Sequence, residues 1–378
     1  MIKHRRALSG VVVLAVVVAG EVVVGAAASA STGRDGVREV LERLTTVDGG
    51  PGALVRMDGR GGERVLTSGV ADVASRAPVR GDSTFRIGSM TKMFVATTVL
   101  QLVGEGRVVL DAPVERYLPG VVRGPGGDGR VVTVRQLLQH TSGIPDYLDY
   151  LSVEDVLNNP LVHHDARDLV KLALAHPATG KEPGDAVRYS NTGYLLAGML
   201  IEKVTGRSYG REIRRRVIEP LGLSRTYVPG DRSGIPGPHP RGYARVGQDV
   251  ELLDITRINP TVAGAAGSMI SNGADLNRFL GALVRGRLLR PAQLREMMRT
   301  RSSGGAAHGL GLDSYRLPCG GLYWGHDGGI PGFQTFGGAT VDGRQATVMV
   351  NLYPGESAAQ DGDTVAAVGA ALCGRSVG

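Results

Sequence analysis

The chain of 378 residues is long enough for one large domain, or two lobes, around a real core. Its 42% hydrophobic and 21% charged content is that of a globular protein, and 57 glycines beside few aromatics point to a loop-rich fold, not a fibrous or low-complexity one. The net charge of +7 is scattered, with its densest run at residues 211–216, which reads as the solvated face of a helix. A nucleic-acid partner would need a basic stripe on a known module, and neither is present.

Residues 1–30 read as a targeting segment. Lys3, Arg5 and Arg6 form a basic start, residues 11–19 an apolar stretch, and Ala28-Ser29-Ala30 a small-residue cleavage site. Glu21 interrupts the apolar run, which argues against a permanent membrane span and for secretion. In an exported chain the even cysteine count, Cys319 and Cys373, points to a disulfide between the segment before a late glycine-rich stretch and the C-terminal helix. Two free buried thiols are the alternative. No cysteine–histidine cluster has zinc-ligand spacing.

Residues 37–44 follow a helical pattern, and 52–57 and 64–69 read as strands around the turn at 58–62. Residues 93–104 are apolar nearly all round, as in a buried helix, and Gly104-Glu105-Gly106 stops it. Residues 133–140 form an amphipathic helix with Thr133 as its cap, ending in the turn 141–145. Further helical patterns lie at 153–157, 166–175, 194–204 and 211–221, and the Gly/Pro-rich stretch 231–241 is loop. After residue 263 come a small-residue run, a helix at 275–284, strand patterns at 321–324, 332–339 and 345–351, and a terminal helix at 366–372. Strands at both ends with helices between predict an α+β fold: one antiparallel sheet made from both ends, flanked by helices, with an all-helical lobe inserted. The boundaries are 31–88 and 262–378 for the sheet lobe and 89–261 for the helical lobe, with the functional site between them.

Three motifs carry chemistry. Ser89 and Lys92 stand three apart at the start of the buried helix, on one face, where free N–H groups and the helix dipole favour developing negative charge. A desolvated lysine is one of the few groups able to take a serine proton. Tyr189-Ser190-Asn191 lies in a loop before the next apolar helix. A tyrosine among cations can be lowered toward the phenolate and act as a base, and Asn191 can both donate and accept toward an amide. Gly325-His326-Asp327-Gly328-Gly329 follows a strand pattern; its glycines allow close backbone approach, and an exposed N–H there can serve an oxyanion hole. Taken singly, each motif is more often structural: a helix cap with a snorkelling lysine, a buried tyrosine with a capping asparagine, a hairpin end with a surface histidine.

In this order the three motifs resemble those of penicillin-recognising serine enzymes, in the branch of class C β-lactamases, secreted serine D-Ala-D-Ala carboxypeptidases and related esterases. Residues 137–143 (Leu-Leu-Gln-His-Thr-Ser-Gly) and 189–194 (Tyr-Ser-Asn-Thr-Gly-Tyr) are typical of that branch, and the similarity runs from about residue 37 to 373. The resemblance implies a β-lactamase-like fold and an acyl-enzyme at Ser89. Lys92 and Tyr189 would manage its proton, Asn191 would hold the substrate amide, and His326 would replace a lysine of the third motif. The N–H groups of Ser89 and Gly329 would form the oxyanion hole. It implies no metal or organic cofactor. The substrate would be a small molecule or peptide, such as a peptidoglycan stem peptide or a β-lactam; the oligomeric state is left open.

Two departures bear on substrate. Asp327, beside Gly328, stands where threonine or serine is usual, and Asp313 stands where the carboxypeptidases carry a carboxylate-gripping arginine, with Arg316 close by. Two acids near a substrate carboxylate favour short esters over D-Ala-D-Ala peptides. Carboxypeptidase, esterase and β-lactamase activities stay open at this point. The competing reading is a catalytically silent penicillin-binding or wall-binding module.

Overall fold

The computed structural model describes residues 34–59, 61–180, 182–245, 252–303, 306–355 and 359–374; the leader expected at 1–30 lies outside them. Eight antiparallel strands form one sheet. Their order is Gly62–Gly69, Gly52–Gly59, Gln345–Val350, Phe333–Ala339, Leu322–Ile330, Asp313–Arg316, Ala306–His308 and Arg301–Ser303. The two ends of the chain meet where Ala53 pairs with Val350.

The period-2 alternation of a strand sends Leu54 to one face and Ala53 and Val55 to the other. Ala53 and Val55 join the core under the terminal helices Arg34–Thr46 and Ala359–Cys373, where Val37, Leu41 and Leu44 meet Val368 and Leu372. Leu54 joins the larger core with helices Gly273–Val284 and Thr91–Gly104. There Phe94 stacks on Phe279 with ring centroids 3.8 Å apart. Helix Thr91–Gly104 is surrounded by helices Asn191–Thr205, Gly264–Gly267, Tyr209–Ile213 and Pro291–Met297, which explains why its sequence is apolar nearly all round. Among the described residues no helix is long and apolar enough to cross a membrane.

The structure differs from the sequence expectation in three places. Strand Leu322–Ile330 runs straight through the third motif, which is therefore part of the sheet and not the end of a hairpin. Short strands Asp313–Arg316, Ala306–His308 and Arg301–Ser303 extend the sheet where the pattern was too short to read. The basic run at 211–216 surrounds a buried acid: Glu212 is fully buried and pairs with Arg207, Arg215 and Arg216, the last itself 7% exposed. Cys373, the last residue of the C-terminal helix, is joined to Cys319 in the turn ahead of strand Leu322–Ile330.

Candidate active site

Ser89 lies on the single helical turn Gly88–Met90 that leads into helix Thr91–Gly104. That turn is pressed against strand Leu322–Ile330. Gly88 has φ +50°, and a Cβ there would sit 2.8 Å from the backbone N and O of Gly329. A Cβ on Gly328 would lie 2.1 Å from the Ile87 carbonyl oxygen. Only glycine fits at both positions, and the result is that the Ser89 backbone and the Gly329 backbone are neighbours. The Tyr353 ring closes over the far side of Gly329, where a Cβ would be 2.4 Å from it.

The first two motifs meet at the serine. Ser89 Oγ is 2.8 Å from Lys92 Nζ and 2.8 Å from the Tyr189 hydroxyl, which donates to it. Lys92 is fully buried, and Nζ also donates to Asn191 Oδ1 (2.7 Å) and to the Ala266 carbonyl (2.8 Å). Burial pulls the Lys92 ammonium down to about 7, against the opposing charges of Asp146, Asp327 and Asp313. A neutral amine has two N–H donors and one lone pair. The Asn191 and Ala266 oxygens take the two donors, which leaves the lone pair for Ser89 Oγ.

Tyr189 departs from the phenolate expectation. Burial, and then the Asp327 charge, push its hydroxyl well above the usual 10. It is therefore a phenol at neutral pH, a proton donor to Oγ. Its ring stacks on His140 at 4.2 Å, and Lys92 Nζ lies 4.9 Å from the ring centroid.

Two residues of the site were not singled out in the sequence. Asp146, buried, accepts from the Asn191 backbone N–H (3.1 Å) and from Asn191 Nδ2 (2.7 Å). That contact turns Asn191 Oδ1 toward Lys92, so the acceptor oxygen of Asn191 serves the lysine. His140 takes φ +57° and its Nδ1 accepts from the Ser190 N–H at 3.2 Å. Burial, then Lys92, hold its pKa well below 6.5, so it stays neutral beside the lysine. The Asp146 signal was present as an aspartate capping the short turn Tyr147–Tyr150.

His326 is 1% exposed, and its Nδ1 donates to the Asp327 carbonyl oxygen at 2.6 Å with the Asp327 carboxylate at 3.2 Å. Burial opposes its charge, but Asp327 and Asp313 outweigh burial and raise the pKa above 6.5. The Asp327 side chain is 57% exposed. Asp313 is not: it is buried, opposite Gly325, and its carboxylate pairs with His308 Nδ1 at 3.1 Å. Arg316 is exposed and pairs with Leu322, three residues along the strand, so it stands roughly 10 Å farther from the third motif. Asp327 is thus the acid offered to solvent, and Asp313 is an internal partner of a histidine.

A serine with a buried lysine and a phenol on its hydroxyl, on a turn pressed to a glycine-bearing sheet strand, defines a serine hydrolase of the penicillin-recognising class. A profile of the Beta-lactamase family matches residues 1–370, and the chain belongs to that family. It is similar to the solved structure of a D-stereospecific amidohydrolase from Streptomyces sp., with 40% identity, a TM-score of 0.81, and 88% of this chain and 97% of that one covered. It is also similar to the D-amino acid amidase from Ochrobactrum anthropi SV3 complexed with D-phenylalanine: 30% identity, TM-score 0.76, covering 88% of this chain and 98% of that one. Penicillin-binding protein 4 of Amycolatopsis lactamdurans is 32% identical over 247 residues, 64% of this chain and 61% of that protein. The chain spans about three-fifths of the length of that curated relative. The two solved structures are described as amide-cleaving enzymes and the curated relative as a penicillin-binding protein.

Proposed function

We propose that the chain is an exported amidohydrolase that forms an acyl-enzyme at Ser89 and prefers amides carrying a free ammonium, D-amino acid amides above all. The observation that carries this reading is the pair of 2.8 Å contacts that Ser89 Oγ makes with Lys92 Nζ and the Tyr189 hydroxyl. Neutral Lys92 takes the Ser89 proton as Oγ bonds to the amide carbon. The N–H groups of Ser89 and Gly329 hold the oxygen that becomes negative. Tyr189 delivers a proton to the leaving nitrogen and is reprotonated from Lys92, so the C–N bond breaks to a neutral amine and an ester at Ser89. Water enters by the same route in reverse, giving the acid and free Ser89.

Substrate preference follows from charge. Asp327 stands at the exposed edge of the third motif, where it favours an ammonium and disfavours a carboxylate. An amino acid amide has the first group and lacks the second. The two amide-cleaving relatives, described as D-stereospecific and as a D-amino acid amidase, support the D configuration. Short uncharged esters meet no penalty and are accepted as well. Residues 1–30 direct export, and the Cys319–Cys373 bond belongs to that oxidising setting. The lobes at 31–88 with 262–378, and at 89–261, enclose the site.

The test compares kcat/KM for D-phenylalanine amide, L-phenylalanine amide and a peptide ending in D-Ala-D-Ala. The D-amide should lead. Equal rates on both enantiomers, or preference for the D-Ala-D-Ala peptide, would overturn the substrate assignment.

A further inference from the structure

His140 grips the segment that carries Tyr189. It is the second residue past the end of the short helix Val134–Leu138, at φ +57°, a left-handed position in which glycine is usual. The Thr141 N–H closes that turn on the Gln136 carbonyl at 3.0 Å. From the turn, His140 contacts three consecutive residues. Its carbonyl oxygen accepts from the Arg188 N–H at 2.7 Å, and its ring Nδ1 accepts from the Ser190 N–H at 3.2 Å. On the residue between them, Tyr189, its ring lies stacked, with centroids 4.2 Å apart and planes 23° from parallel. Tyr194 packs on the same imidazole at 5.3 Å and anchors its own hydroxyl on the Leu138 carbonyl at 2.7 Å.

This arrangement costs stability. A side chain at positive φ is strained where glycine would not be. A neutral imidazole that accepts at Nδ1 carries its proton on Nε2. His140 is 3% exposed, and its buried Nε2 has no hydrogen-bond partner among the described residues. Backbone strain and an orphaned donor in one residue beside a reacting group point to a role in the reaction. Among the described residues the Tyr189 hydroxyl has one hydrogen-bond partner, Ser89 Oγ at 2.8 Å. Its aim is therefore set by whatever holds the Tyr189 ring and backbone.

We propose that His140 is a positioning residue for the acyl-transfer step: by clamping residues 188–190 and bracing the Tyr189 ring, it aims the phenol at Ser89 Oγ. It acts through Tyr189, so the proposal rests on the reading of Tyr189 as the proton donor.

The test is a double-mutant cycle between His140 and Tyr189, read as kcat and KM on whichever amide of the substrate comparison above is turned over fastest. His140→Asn and His140→Gly both tolerate φ +57°, so the turn survives in each. Asparagine keeps an acceptor for the Ser190 N–H and loses the stack; glycine loses both. His140→Asn should lower kcat about tenfold and His140→Gly more, with KM little changed, as for a misplaced catalytic group. Added to Tyr189→Phe, neither should lower kcat further, because there is no hydroxyl left to aim. The same loss in both backgrounds would mean that His140 acts on the site generally, and would overturn the proposal. So would unchanged kcat in both His140 variants beside a damaging Tyr189→Phe. A Tyr189→Phe enzyme as fast as the unmodified one would overturn the proton-donor reading itself, and the proposal with it.

Discussion

Asn191 Oδ1 lies 2.7 Å from Lys92 Nζ, inside the protein and not toward the substrate. Asp146 fixes that orientation from behind by taking Asn191 Nδ2 at 2.7 Å. The three residues form a line that ends at the serine proton acceptor, so the ionisation of Lys92 governs the reaction.

The first prediction is a pH limb. The Lys92 pKa is lowered by burial to about 7, and the base form is needed. Below that pKa the lysine is an ammonium with no lone pair, so kcat/KM falls as pH drops through about 7 and levels off above it. The Asp146 charge holds the Lys92 pKa up, so Asp146→Asn should move the limb to lower pH. A structural defect alone would lower the plateau and leave the limb in place. Lys92→Ala should cost about a hundredfold or more in kcat/KM at the plateau.

Tyr189 supplies the second prediction. Tyr189→Phe keeps the ring on His140 and removes only the hydroxyl, so kcat should fall by about a hundredfold or more while KM changes little. Because burial raises this phenol, the ultraviolet tyrosinate signal lost in Tyr189→Phe should be absent at pH 10. A tyrosinate assigned to Tyr189 near pH 7 would mean that it is a base after all.

Much of this arrangement was legible in the sequence. Ser89 with Lys92, Tyr189 with Asn191, and His326 with Gly329 could be read because each motif is short and local, and the buried helix because its apolar pattern is continuous. The terminal strands were legible from alternation. What could not be read depends on contacts between distant segments. Asp146 matters only through its contact with Asn191, 45 residues away. Asp313 has the same sequence spacing whether it faces solvent or His308, and only the pairing of its strand with residues 306–308 decides. Tyr189 was expected to lie among cations, but burial and Asp327 dominate its titration.

Third, Asp327→Thr should shift selectivity. Removing a 57% exposed charge is worth little in absolute terms, so the effect is about threefold to fivefold. Turnover of D-phenylalanine amide should fall and that of peptides ending in a carboxylate should rise. By contrast, Asp313→Arg should not create a carboxylate clamp, because it removes the carboxylate that pairs with His308 and leaves an uncompensated guanidinium in a buried site. Improved D-Ala-D-Ala cleavage in Asp313→Arg would contradict that placement.

Fourth, alkylation of the purified protein under denaturing, non-reducing conditions should find no free thiol, since Cys319 and Cys373 are joined. Their separation of 54 residues closes a long loop, so replacing both by serine should cost roughly 2–5 kcal/mol of stability. Two reactive thiols in the untreated protein would contradict it.

The most direct measurement is intact-mass spectrometry of the protein treated with a fluorophosphonate, followed by peptide mapping. The account predicts one adduct per chain, on the peptide that contains Ser89, formed faster as pH rises through about 7 and absent in Ser89→Ala. Equal labelling of Ser89→Ala, or an adduct mapped to another residue, would contradict it.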